Sequence, residues 1–190
     1  MPVPVPLAAT TRAAIVGETV RWLERAVIGL NLCPFAKAVH VKGQVRYAVS
    51  EATSPAALLG DLRDELASLA AAPPNEVDTT LLIHPQVLED FADYNDFLSE
   101  ADALLAQLGL EGVLQIASFH PRYCFADGPS GDPANFTNRS PYPMLHLLRE
   151  DSVSRAVAAF PDPSQIYERN MQVLRALPAP ELRALFGDDD

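Results

Sequence analysis

Three short β-prone runs alternate along this chain with two helix-length amphipathic segments, and that alternation constrains the fold most. The runs are residues 44–50 (QVRYAVS), 79–84 (TTLLIH) and 112–120 (GVLQIASFH). In the first, Val45, Tyr47 and Val49 share one face, the pattern of a half-buried strand. Between the first two runs, Ser54 as N-cap and Pro55 at the first helical position open a helix to about residue 72, where Pro73 and Pro74 stop it. Between the second and third, residues 86–108 read as a helix with Gly109 just past its end. Strands separated by helices of this length predict a small sheet covered by helices.

Outside this frame, Thr10 or Thr11 can cap a first helix to about residue 30. Its buried stripe is expected at Val16, Val20, Leu23 and Val27, with Trp22 flanking it. Residues 31–43 read as a connection broken by Pro34. After the third strand comes a long loop, and Pro141 and Pro143 then introduce a helix from Met144 to about residue 160. Ser164 caps another to about residue 177, and residues 180–186 add a turn. The predicted order is α-β-α-β-α-β-loop-α-α, an α/β or α+β fold. A fourth strand is expected within 122–126 or near 39–41. Residues 1–9 are expected as a loose arm, 10–187 as a single globular domain and 188–190 as an acidic tail.

The formal charge is −11, which opposes a broad nucleic-acid or anionic-membrane interface. Two stretches escape the acidity. Residues 31–50 carry Lys37, Lys42 and Arg46 and no acid, and residues 120–149 carry three arginines against Asp127 and Asp132. Such islands suit a small anionic ligand; alternatively the acids simply occupy solvated helix faces. The start of the chain lacks the pattern of a signal peptide, no apolar run is long enough to span a bilayer, and two cysteines make no disulfide framework. The expected setting is cytoplasmic, with reduced thiols.

The chemistry concentrates in residues 119–150, with two histidines, one cysteine, three arginines and five prolines. His84 and His120 each close a strand and precede a proline, which ends the ladder there. Ligands of open α/β sheets bind beyond the carboxyl ends of strands. If the second and third strands are parallel neighbours, the two imidazoles meet at that edge as acid/base groups or metal ligands; otherwise each caps its strand end. On a helix begun at Pro143, His146 and Arg149 share a face, while Arg139 stands before its N-terminus, where Arg139 and Asn138 can hold an anion. Arg122 and Lys37 are further candidates for binding substrate. Cys33 lies in the acid-free island with Lys37 a turn away, as a nucleophile or soft ligand; the alternative is a small buried hydrophobe. Cys33-Pro34-Phe35 is similar to the monothiol end of glutaredoxin-like sites, but those follow a strand, and Ala36 stands where a second cysteine would be. His84, His120, His146 and Cys124 form a candidate mixed set for a transition metal, and a Cys-Pro pair can ligate haem. Asp127, Asp132 and Asn135 offer oxygen ligands or, in this turn-rich stretch, loop caps. No P-loop, GxGxxG, HExxH or GxSxG pattern occurs.

Asn31-Leu32-Cys33-Pro34-Phe35-Ala36, His120-Pro121-Arg122-Tyr123 and the run from Asn138 to Glu150 (NRSPYPMLHLLRE) together resemble a bacterial protein family of unknown function, over roughly residues 21–173. The resemblance implies a small cytoplasmic bacterial protein and carries no activity with it. The residues themselves lead to an enzyme acting on a small anionic substrate at the strand carboxyl ends. The alternative is a non-catalytic module that binds an anion or cofactor.

Overall fold

The computed structural model describes residues 9–126, 128–158 and 164–186. Most of the expected arm, Asp127 and the acidic tail lie outside them. Helix α1, Ala9–Trp22, runs straight into a π-helical turn, Leu23–Ile28, and a short α2, Ala36–Val41, follows. Strand β1 is Val45–Val49, α3 Pro55–Ala71, β2 Thr79–Ile83, α4 Phe91–Gln107 and β3 Leu114–Phe119. A 3-10 helix spans Pro133–Asn138, then come β4 (Met144–Arg149), α5 (Glu150–Ala158), α6 (Ser164–Ala176) and α7 (Ala179–Phe186). The fold is mixed α/β around one four-stranded sheet.

The local signals act as expected at the central helices. Ser54 Oγ accepts from Ala57 N at 3.3 Å with Pro55 behind it, and Gly109 takes φ +69° after α4. Helix α4 starts later than expected, because Asp90 caps it by accepting from Ala92 N at 2.9 Å.

The sheet order is β1-β2-β4-β3, with β1 and β2 parallel and β4 antiparallel to both its neighbours. The fourth strand is therefore neither of the expected segments. It is Met144–Arg149, expected as helix, while residues 39–41 lie in α2 and 122–126 form no strand. A short apolar run such as MLHLLR suits a buried strand or a buried helix equally, and the slot between β2 and β3 decides. Pro143 stands just before this strand, where a missing N–H costs nothing in the ladder, and its carbonyl accepts from His84 N at 3.0 Å. The strand also places Arg149 and His146 on opposite faces, not on one helical face.

Alternation divides the core. Leu82, Leu114, Leu145 and Leu147 pack with Leu58, Leu62 and Leu66 of α3 and Tyr94, Phe97 and Ala101 of α4. The other face packs Leu81, Ile83 and Met144 against Ile15, Trp22, Leu23, Ala26 and Val27. The stripe of α1 is thus rotated from the expected one: Ile15, Thr19 and Trp22 are buried, while Val16 and Val20 are only partly so. Thr19 Oγ1 donates back to Ile15 O at 2.9 Å, so a hydroxyl sits in this face without being orphaned. A third cluster joins Leu32, Phe136, Leu174 and Leu182, seating α6 and α7 on the loops.

Candidate functional site

Three of the sequence's motifs end at one edge of the sheet, where the carboxyl ends of β2 and β3 flank the start of β4. The two faces of that edge are built differently.

On the α3/α4 face, His84 and His120 stand one residue past the ends of β2 and β3. These strands are parallel to each other but are not neighbours, since β4 lies between them. The imidazoles instead bracket Tyr94, at ring-centroid distances of 5.8 Å and 5.0 Å, and both histidines are fully buried. Tyr94 Oη donates to Met144 O at 2.9 Å and accepts from Phe119 N at 3.0 Å, stitching β3 to β4 where the ladder ends. His84 Nδ1 faces Val87 O at 3.0 Å and His120 Nε2 faces Leu88 O at 3.2 Å. Carbonyls only accept, so both nitrogens carry protons. His120 Nδ1 is correspondingly bare and accepts from Arg122 N at 3.0 Å. Burial pushes His84 down to about 4, with the neighbouring His120 adding to the shift, and burial also lowers His120. Both rings are neutral at pH 7. Between them they grip a loop in which Leu88 takes φ +59°, a conformation that costs a leucine about 1–2 kcal/mol. Arg122 adds a third hold, donating to Glu89 O at 2.6 Å. His84 Nε2 and Gln86 Oε1 are buried there without a hydrogen-bond partner among the described residues.

Most of the remaining expected residues are spent on structure. Arg149 donates to Leu69 O and Ala72 O, each at 2.6 Å, and to Val77 O at 3.1 Å, closing the carbonyl end of α3. Arg139 is 8% exposed, donates to Tyr123 O at 3.2 Å and lies 4.3 Å over the Phe136 ring. Asn138 Nδ2 donates to Ser118 O at 3.0 Å and its carbonyl accepts from His120 N at 3.1 Å, pinning the loop to β3. Asp132 caps the 3-10 helix, and the buried Asn135 accepts from Phe125 N while donating to Pro129 O and Ser130 O, which are loop-capping roles. Lys37 stands exposed on α2.

The metal set is split by the sheet. His146 shares the α1 face with Met144, its Nε2 2.7 Å from Thr79 Oγ1, so it lies across the sheet from His84 and His120. Cys124 sits in the loop beside Asn135 Nδ2, at 3.9 Å. Among the described residues no three His, Cys, Asp or Glu side chains gather as a metal ion would need. Cys33 packs against the cluster that includes Trp22 and Ile83, and burial pushes its thiol up, outweighing the opposing backbone N–H groups of Phe35 and Ala36. That environment is a poor one for a thiolate nucleophile.

On the α1 face of the same edge, a cleft of about 300 Å³ opens between the end of α1 with its π turn, Pro141, and the end of α7. Trp22 belongs to its lining and meets Phe119, the last residue of β3, edge-on at 5.5 Å. Arg21 and Arg25 supply the cationic charge and Glu18 the acid; Leu185 and Phe186 close the far wall. Glu18 is engaged already, accepting from Tyr142 Oη and lying 4.0 Å from Arg21. Arg25 has no carboxylate partner among the described residues. The π turn sets this arrangement: Gly29 N donates to Glu24 O at 3.0 Å, five residues back. A Cβ on Gly29 would lie 2.2 Å from Arg25 O, so a side chain here would force the turn to shift. The 31–36 motif follows as a bend held by α6, with Arg169 donating to Asn31 O at 2.8 Å and Asn170 to Leu32 O at 2.7 Å. Arg21 and Arg25 were invisible as candidates in the sequence, where they look like ordinary exposed helix cations.

A larger cleft, of about 500 Å³, lies beyond the carboxyl end of β1 and is acidic. Its carboxylates are already partnered: Glu51 with Arg12, Asp61 with Ser50 Oγ at 2.5 Å, Glu65 with Arg46 at 2.7 Å and Asp64 with Arg63 at 3.6 Å.

No described helix is long and apolar enough to cross a membrane. A family model described as a protein of unknown function (DUF1415) matches residues 14–184. No match was found among curated proteins or solved structures.

Proposed function

The chain belongs to the DUF1415 family, and from that premise we propose that it is a binding module for a small organic anion, held on the α1 face of the sheet edge. The observation that carries this reading is the pairing of Arg21 and Arg25 with an apolar wall that includes Trp22, in a cleft beside Pro141 of the NRSPYP segment. A local positive charge in a chain of net charge −11 favours a small anion while repelling nucleic acid and anionic membranes. A bacterial cytoplasm suits the two free cysteines. Isothermal titration of the wild type and of the Arg21→Ala/Arg25→Ala double variant with a panel of small carboxylates and phosphates tests it. Binding by the wild type, weakened about tenfold or more in the variant, is expected. Silence from every anion, or equal heats from both proteins, would sink the reading.

A second reading keeps an enzyme of a small anionic substrate on the opposite face, with His84 as the acid/base group and His120 holding the loop. Its one specific support is the bare lone pair of His84 Nε2. It needs the loop between β2 and α4 to open, because His84 is 0% exposed. The anionic ligand stays common to both readings.

A further inference from the structure

We infer that the ligand of the α1-face cleft is an aryl monocarboxylate, with its single charge met by Arg25 and one aromatic ring laid along the wall that includes Trp22. The inference rests on the anion-binding reading above and narrows it. Two cations face the cleft, but Glu18 offsets Arg21 at 4.0 Å and is itself held by Tyr142. Among the described residues one uncompensated guanidinium, that of Arg25, remains. A dianionic phosphate would bring a second charge with no further free cation among the described lining residues to meet it, whereas a carboxylate matches the balance and the planar fork of arginine.

The rest of the lining is apolar: Trp22, Pro141, Ala184, Leu185 and Phe186 make up five of its eight residues. Their presence requires a ligand with an apolar body, since an inorganic ion would leave that wall wet. The volume of about 300 Å³ lies at the small end of ligand pockets, which suits one ring more than a dinucleotide. A flat ring satisfies both parts of the site at once, offering a face to the indole and to the guanidinium plane of Arg25.

Trp22 is the only tryptophan, so its fluorescence reports on this cleft directly. Phenylacetate, cyclohexylacetate, acetate and inorganic phosphate are titrated in parallel at fixed ionic strength. Phenylacetate is expected to bind at least about tenfold tighter than acetate or phosphate and several-fold tighter than cyclohexylacetate. Arg25→Ala should weaken phenylacetate about tenfold, Arg25→Lys less, and Arg21→Ala little. If acetate, phosphate or cyclohexylacetate binds as tightly as phenylacetate, the aryl assignment is wrong although an anion site stands. If no anion perturbs Trp22, both the assignment and the binding reading fall.

Discussion

The two faces of one sheet edge put the same residue types to opposite uses. On the α3/α4 face, His84, His120, Tyr94 and Arg122 point inward or onto backbone, and nearly every polar atom holds a strand end or a loop carbonyl. On the α1 face, Arg21 and Arg25 are exposed above an apolar wall and bond to no backbone among the described residues. The contrast teaches that a residue capable of chemistry is a site only when its polar atoms are left over after the fold is closed. Arginines that cap carbonyls, such as Arg149 and Arg139, have little left for a ligand. The difference can be broken from either side, because one face should govern stability and the other binding.

The largest effect is expected at Tyr94. Tyr94→Phe strips the partner from both Met144 O and Phe119 N in a buried setting, and should cost about 3 kcal/mol of unfolding free energy by urea titration. Anion binding at Trp22 should survive in whatever fraction stays folded. A loss below about 1 kcal/mol would show that the clamp contributes little.

Gly29→Ala attacks the other face. The methyl group would collide with the Arg25 backbone, so the π turn must rearrange, at a cost of about 2 kcal/mol. Unlike Tyr94→Phe, it should also displace Arg25 and change Trp22 fluorescence. An unchanged emission spectrum together with unchanged stability would contradict the role given to the π turn.

Acid should act more gently, and through a buried histidine on each face. His84 titrates near 4 when folded against 6.5 unfolded, so between those values the unfolded chain binds the extra proton. The stability that follows from a neutral His84 is complete above about pH 6.5 and is lost as pH falls towards 4, amounting to roughly 2 kcal/mol between pH 7 and 5. His146, held low by burial on the α1 face, contributes in the same direction. Urea titrations of wild type and His84→Gln at both pH values check this: the variant should show a clearly shallower dependence, and identical slopes would refute the assignment.

Much of this frame was legible in the sequence because local chemistry and tertiary position agree. Ser54-Pro55 opens a helix in any context, and the alternation of Val45, Tyr47 and Val49 gives both the strand and its buried face. The repeated His-Pro steps placed His84 and His120 at strand ends, and strand parity brought them to one side. The late start of α4 was a local signal overlooked, the cap at Asp90; the larger failures share one cause, the dependence of a segment on distant partners. MLHLLR becomes a strand only because β2 and β3 leave a gap, and with that change His146 and Arg149 part company. Arg21 and Arg25 gain meaning only from α7, some 160 residues later in the sequence, and from a π turn that propensities do not encode. Gly29, wedged against Arg25 O, was the one local trace of it.

The insertion of β4 between two earlier strands also fixes an order of events. Until residues 144–149 leave the ribosome, β3 has no strand to pair with, and β2 offers an open side where β4 will sit. The amino-terminal three quarters of the chain can pair β1 with β2 and grow its helices, yet the sheet closes only on the arrival of its penultimate strand position from the late part of the chain. Such long-range closure slows folding and prolongs the exposure of strand edges to other chains. During synthesis, then, β3 waits beside a half-built sheet, and the late strand is the bolt that joins them.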